Sequence, residues 1–136
     1  MTHIQIPIRL ANEANSREHW LKKGKRHTMQ KFIVRAYMNN AFPLGSYPMP
    51  CIILLTSHAP RKKDDDNNIY NFKWIRDAIS EFLLECDKPG GADNDARIQW
   101  HYAQKKSKPK EYFITIEVWP VDSFGKMADF CPIANT

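Results

Sequence analysis

The chain has 136 residues, 43% of them hydrophobic and 26% charged, which is enough to bury one core and is most simply a single domain. Its unbroken apolar runs are only a few residues long, which excludes a bilayer-spanning helix, and its alternating N-terminus lacks the basic and apolar regions of a secretory leader. The net charge of +5 is a mild basic excess, and the cysteines (Cys51, Cys86 and Cys131) form no CxxC pair, so neither a disulfide framework nor a thiolate zinc site is expected and a reducing, cytoplasmic setting is.

In chain order, Ile4 to Leu10 alternates and predicts a first strand. Ala11 to Asn15 is a polar connection. Ser16 is placed to cap a helix that begins at Arg17 and runs to about Asn40, where Asn39-Asn-Ala-Phe-Pro43 stops it. Its expected core stripe is Leu21, Met29, Phe32, Ile33 and Ala36. The opposite side carries Arg17, Lys23, His27, Lys31 and Arg35, with Trp20 and Gly24 among them. That face reads equally as a solvated surface or as a phosphate-contacting one. Leu44 to Pro50 is a Pro- and Gly-containing loop. Cys51 to Thr56 is a nearly continuous apolar run, expected to be a central strand covered on both faces, or one covered on a single face with an interior edge.

A second helix is expected from Asn67 to Cys86, with Ile69, Phe72, Ile75, Ile79 and Leu83 at helical spacing. Asp87 to Asp95 is a Gly- and Asp-rich loop. Ala96 to Gln104 alternates as a strand, Lys105 to Lys110 reads as a hairpin tip, and Tyr112 to Trp119 is the return strand. Val121 to Thr136 carries Phe124, Met127, Phe130 and Ile133 without strand alternation and reads as an extension or packed tail after a 1–120 domain. The expected fold is α+β, a mixed sheet with two main helices in the order β-α-β-α-β-β.

Chemistry concentrates in Arg61-Lys-Lys-Asp-Asp-Asp-Asn67, between a strand and a helix. If the chain is still extended there, Asp64 and Asp66 point to one side and Asp65 to the other. Asp93 and Asp95, in the loop after the second helix, are candidates for a third acid. Carboxylates alone suit Mg²⁺ or Mn²⁺, and no Cys or His pair nearby suggests zinc. Lys73, seven residues after Asp66, is placed to neutralise phosphate charge or orient a water. Together these suit phosphodiester hydrolysis. The plainer reading is a solvated helix N-terminus, where the dipole favours acids, with Asp93 and Asp95 shaping a turn. The spacing is not that of an EF-hand. Cations cluster at Arg61, Lys62 and Lys63 and again at Lys105, Lys106, Lys108 and Lys110, as phosphate contact requires. Trp20, Tyr70 and Trp74 are candidates to stack on unpaired bases, though core packing is the favoured role for any one of them.

Three strings carry a resemblance: Arg61-Lys-Lys-Asp-Asp-Asp-Asn67, Phe72-Lys-Trp-Ile-Arg-Asp-Ala-Ile79 and Asp93-Asn-Asp-Ala-Arg-Ile98. They resemble the RusA-type Holliday junction resolvases, often encoded by phages and prophages, over about residues 51–119. Asp64, Asp66 and Asn67 match that family's Asp-x-Asp-Asn, Lys73 its helical lysine before Asp77-Ala78, and Asp95 its third aspartate better than Asp93 does. Asn12-Glu-Ala-Asn-Ser16 departs from the family's Pro-Pro-Ser-Asn-like loop. The resemblance implies a homodimeric, Mg²⁺-dependent endonuclease that nicks branched DNA symmetrically, with Asp64, Asp66 and Asp95 on the metal and Lys73 beside the phosphate. Two rival expectations are a DNA-binding protein whose acids only order a loop, and an interaction protein whose acids are ordinary caps.

Overall fold

A computed structural model describes residues 1–13, 17, 19–43, 49–84 and 96–121. The expected 121–136 tail, Cys86, and the loop with Asp93 and Asp95 lie outside the described residues, Val121 apart. The fold is α+β, a single small domain in which three helices, two of them main ones, accompany a four-stranded mixed sheet. The elements are β1 (Thr2–Ile6), α1 (Trp20–Ala41), β2 (Cys51–Ala59), α2 (Asp65–Asn71), α3 (Lys73–Leu84), β3 (Ile98–Lys106) and β4 (Phe113–Pro120).

The sheet order is β1-β4-β2-β3, with β2 and β3 parallel and the other pairs antiparallel. Lys105 to Lys110 is therefore not a hairpin tip between paired strands. β4 runs between β1 and β2, and the chain crosses the end of β2 to reach it. Ser107 N–H donates to the Ala59 carbonyl at 3.0 Å on the way. The sequence shows two alternating segments around a Lys-rich turn, and alternation cannot tell which neighbour each strand chooses.

β2 is central, as its apolar run predicts, and every residue from Cys51 to Thr56 is buried. Cys51, Ile53 and Leu55 point into the main core with Ile4, Ile6, Ile114, Ile116 and Val118 of the neighbouring strands. Val34 and Met38 of α1, and Ile75, Ala78, Ile79 and Leu83 of α3, complete that core. The first strand ends at Ile6 rather than Leu10. Pro7 has no N–H for a ladder, yet Ile8 and Leu10 keep the alternation and stay buried.

Helix α1 is turned differently from its expected stripe. Leu21, Met29 and Phe32 are 52%, 57% and 70% exposed and Ala36 is also exposed, while Ile33 alone of the stripe packs on the core. The inward residues are Gln30, Val34 and Met38. The supposedly outward cations face the body in part: Lys31 Nζ meets Glu81 Oε1 of α3 at 2.8 Å, Arg35 approaches the same carboxylate at 3.9 Å, and His27 meets Glu13. Apolar residues lie all around this helix, so periodicity alone could not choose a face. Acids distant in sequence draw the cationic side inward, which a single helix's pattern cannot reveal.

The second expected helix is two. The turn tightens at Phe72, whose N–H bonds the Ile69 carbonyl at 3.1 Å, and α3 restarts at Lys73. Phe72 is fully buried. Burying this ring holds the chain at the break between α2 and α3. The orientation of α1 makes a direct contrast: Met38→Ala should cost about 2–5 kcal/mol of unfolding free energy, whereas Leu21→Ala should stay within about 0.5 kcal/mol. Urea denaturation of the two variants checks this, and comparable losses would contradict the observed rotation.

Candidate functional site

Parallel pairing brings the C-terminal ends of β2 and β3 to one edge of the domain, with His58 opposite Lys105 and Ala59 opposite Lys106. The antiparallel partners place the start of β4 and the end of β1 there too. The segment from Arg61 to Asp66 leaves β2 at this edge. Cation clusters separated by some forty residues of sequence, Arg61 to Lys63 and Lys105 to Lys110, thus share one end of the sheet with the acids. Arg61, Lys62, Lys105, Lys106, Lys108 and Lys110 are exposed there. Lys110 holds a left-handed backbone, φ 63°, in the turn into β4.

The acid segment is anchored by side-chain amides. Gln104, buried near the end of β3, accepts from Lys63 N–H at 2.8 Å and donates to the Lys63 carbonyl at 2.7 Å. The amide stands in for a strand partner and holds Lys63 extended after β2 has ended. Asn68 in α2 donates to the Ala103 carbonyl at 3.2 Å and accepts from Ser57 Oγ at 2.8 Å, which ties the helix to both parallel strands. Asn71 Oδ1 accepts from Glu13 N–H at 2.9 Å. The helix therefore starts before Asn67, its expected first residue; Asp64 is the N-cap and Asp65 and Asp66 form the first turn.

This changes the expected geometry of the acids. The chain is helical from Asp65, where successive side chains rotate by about 100°, so strand alternation does not place Asp64 and Asp66 on one side. Asp65 Oδ1 accepts a long bond from Gln104 Nε2 at 3.4 Å. Asp64, Asp65 and Asp66 are all exposed, and among the described residues Asp64 and Asp66 make no side-chain hydrogen bond or ion pair. No group of three His, Cys, Asp or Glu able to hold a metal occurs among the described residues. Asp93 and Asp95, the candidates for a third ligand, lie outside them.

Lys73 is exposed at the start of α3, not one turn into a continuous helix, and its Nζ lies 5.3 Å from the Trp74 ring centroid. Trp74 is occupied by stacking on His27, centroids 3.4 Å apart, with Tyr70 edge-on at 6.3 Å. Of the three aromatics considered for base contact, Trp20 and Tyr70 are well exposed, at 72% and 45%.

Sequence reasoning passed over Glu13. Its carboxylate is buried and bonded by Arg26 on both oxygens, one at 3.0 Å, and by His27 Nε2 at 3.0 Å. Burial pushes its pKa up, but the bonds and charges of Arg26 and His27 outweigh that and hold it below the ordinary 4.5. Glu13 thereby fastens the β1–α1 connection to both α1 and α2. A lone Glu in a polar stretch gives no signal of this, because its partners come from a helix whose facing periodicity did not settle.

Burial, then the charge of Arg9, pushes the Lys63 ammonium pKa down, opposed by Glu13. Its Nζ donates to the Leu10 carbonyl at 3.1 Å. His58 stacks on Phe113 with centroids 4.0 Å apart and shares a hydrogen bond with Thr115 Oγ1 at 3.1 Å. Its pKa is lowered by burial, then by Lys105 and His3. No helix among the described residues is long and apolar enough to cross a membrane. Comparison with family models, curated proteins and solved structures finds no match.

The Glu13 network yields a pH prediction. A carboxyl whose folded pKa is depressed stabilises fully above its unfolded value and loses that contribution as pH falls through the folded one. Glu13→Gln should lower stability by about 3 kcal/mol at neutral pH, and the gap from the native chain should narrow below pH 4.5. Thermal melts across that range test it; a gap that does not vary with pH would remove the ionised Glu13 from the account.

Proposed function

We propose that the protein is a divalent-metal-dependent endonuclease acting on branched DNA, the four-way junction being the substrate class that its resemblance to RusA-type resolvases suggests. The observation that carries the reading is the meeting, at one sheet end, of an exposed acid segment and two cation clusters far apart in sequence. Backbone phosphates would lie across Arg61, Lys62, Lys105, Lys106, Lys108 and Lys110, and such contact makes affinity fall steeply with salt.

Asp64 and Asp66 fit an oxygen-ligated Mg²⁺ or Mn²⁺, since both carboxylates are exposed and otherwise uncommitted; Asp95 is the proposed third ligand and Asp93 its alternate. Bound there, the ion would supply acidification of water and neutralisation of phosphate charge. The chain's own contribution is placement. Gln104 and Asn68 fix the acid segment on rigid strands, and Lys73 presents a cation at the next helix start to oppose charge on the phosphate. The setting that goes with this reading is the cytoplasm of a bacterial or phage-infected cell.

A homodimer belongs to the same proposal. The outer face of α1 carries Trp20, Leu21, Met29 and Phe32, with open space above Gly24. Two such faces together reach the order of 1,000 Å² of buried surface, which a specific interface needs. Charged flanks alone would not call for so large an apolar area. Phe32→Glu should convert the dimer to monomer in sedimentation at micromolar protein while the fold persists; an unchanged mass would exclude this face.

The second reading is DNA binding without hydrolysis. It is favoured by the position of Asp65 and Asp66 in the first turn of α2, where the helix dipole alone accounts for acids. A labelled four-way junction with Mg²⁺ separates the two. The native chain should cleave it, and Asp66→Asn should lose at least about 100-fold in rate while still binding, in keeping with the large share of catalysis that placed charge supplies. Binding by the native chain without cleavage would favour the second reading. Lys108→Ala should instead leave cleavage at saturating protein intact and reduce the salt slope of binding by about one.

A further inference from the structure

Beside the acid segment lies a separate cleft of about 590 Å³, within the range of small-molecule sites. It opens between the β1–α1 connection, the end of β2 and the start of β4. Arg9, Arg26, Arg61 and Lys63 line it, and no carboxylate does among the described residues. The charge of Arg26 is answered from behind by Glu13. Among the described residues no carboxylate pairs with Arg9 or Arg61, and Glu13 offsets the Lys63 charge only from a distance, so three cations share a concave space in which Lys63 is half-buried. An anion is the ligand that such a cleft takes.

The walls say more than the charge. Arg9 lies over the Tyr112 ring, its guanidinium carbon 4.1 Å from the centroid. Backed by a ring, a guanidinium plane offers its outer face as a stacking platform for a nucleobase. Phe113 adds an apolar wall alongside. The Lys63 ammonium spends one N–H on the Leu10 carbonyl and keeps two. The volume exceeds what a bare phosphate needs, and the planar and apolar lining is wasted on one.

We propose that this cleft is a nucleotide site, with the phosphate between Arg61 and Lys63 and the base stacked on the Arg9–Tyr112 pair. Lys63 and Asp64 are consecutive, so the cleft adjoins the acid segment, and a strand crossing that segment has a nucleotide to place here. The DNA strand as the source rests on the nuclease reading; the site itself does not. A free nucleotide has the same chemistry.

The test is calorimetric titration in EDTA, so that the acids hold no metal, with dAMP, deoxyadenosine, inorganic phosphate and a single-stranded hexadeoxyadenylate as probes. dAMP should bind about tenfold more tightly than either deoxyadenosine or phosphate, because charge and stacking act together. Arg9→Ala should remove that advantage. Arg9→Lys keeps the charge without the plane, so it should bind phosphate as the native chain does and lose the preference for dAMP; circular dichroism confirms that both variants are folded. Tighter binding of the hexanucleotide than of dAMP supports a strand as the source, and the reverse supports a free nucleotide at the same site. Equal binding of all probes, unchanged in Arg9→Ala, overturns the proposal. Junction cleavage without dAMP binding would sink the cleft and spare the nuclease reading, and dAMP binding without cleavage would do the opposite.

Discussion

The parallel pairing of β2 with β3 is the constraint on which the rest depends. A parallel pair cannot be closed by a short turn and needs a crossover, usually helical. The crossover carries α2 and α3, and its departure from β2 is the acid segment itself. Parallel pairing also sends both strands out at the same end, so the cations that follow each strand meet there. An antiparallel β2–β3 pair would put Arg61 to Lys63 and Lys105 to Lys110 at opposite ends. The position of β4 enforces this arrangement, since it occupies the other side of β2 and ties β1 into the same sheet.

Polar side chains buried between elements then convert a general location into a fixed one. Gln104 gives Lys63, four residues past the end of β2, a side-chain substitute for a strand partner. Asn68 and Asn71 make α2 a bridge between the parallel strands and the Glu13 turn. Buried amides and carboxylates cost free energy unless satisfied; this arrangement bonds Gln104, Asn68 and Glu13, and bonds Asn71 through its Oδ1. The acids are left exposed on a short helix whose base is held at several points.

Much of the architecture was legible because it rests on periodicity. The continuous β2 run follows from burial on both faces, and the alternation of β1 and the apolar positions of α3 follow from one face being buried. The rotation of α1 was not legible, because apolar residues surround it and the deciding interactions are with Glu13 and Glu81. The strand order was not legible either, since Lys105 to Lys110 has the composition of a hairpin tip whether or not its flanking strands pair. At the candidate site the residue types were readable but not their frame. Three consecutive acids read either as a still-extended segment or as a helix N-terminus, and they are the cap and first turn of a helix. Gln104, which holds that turn, and Glu13, which ties the end of α2 to α1, carry no local signal, because each acts on partners distant in sequence. The third acid, Asp95 or Asp93, rests on the position of its loop in the sequence and on the motif resemblance.

The central claim is that the acid segment at this sheet end takes a divalent ion together with an acid from the loop before β3. Paramagnetic broadening of backbone amide resonances by substoichiometric Mn²⁺ tests it most directly. The account predicts that signals from Asp64 to Asn67 and from residues 93–97 broaden first and together, and that Mg²⁺ restores them by competition. Broadening spread evenly over the surface, or centred on another part of the chain, would contradict it.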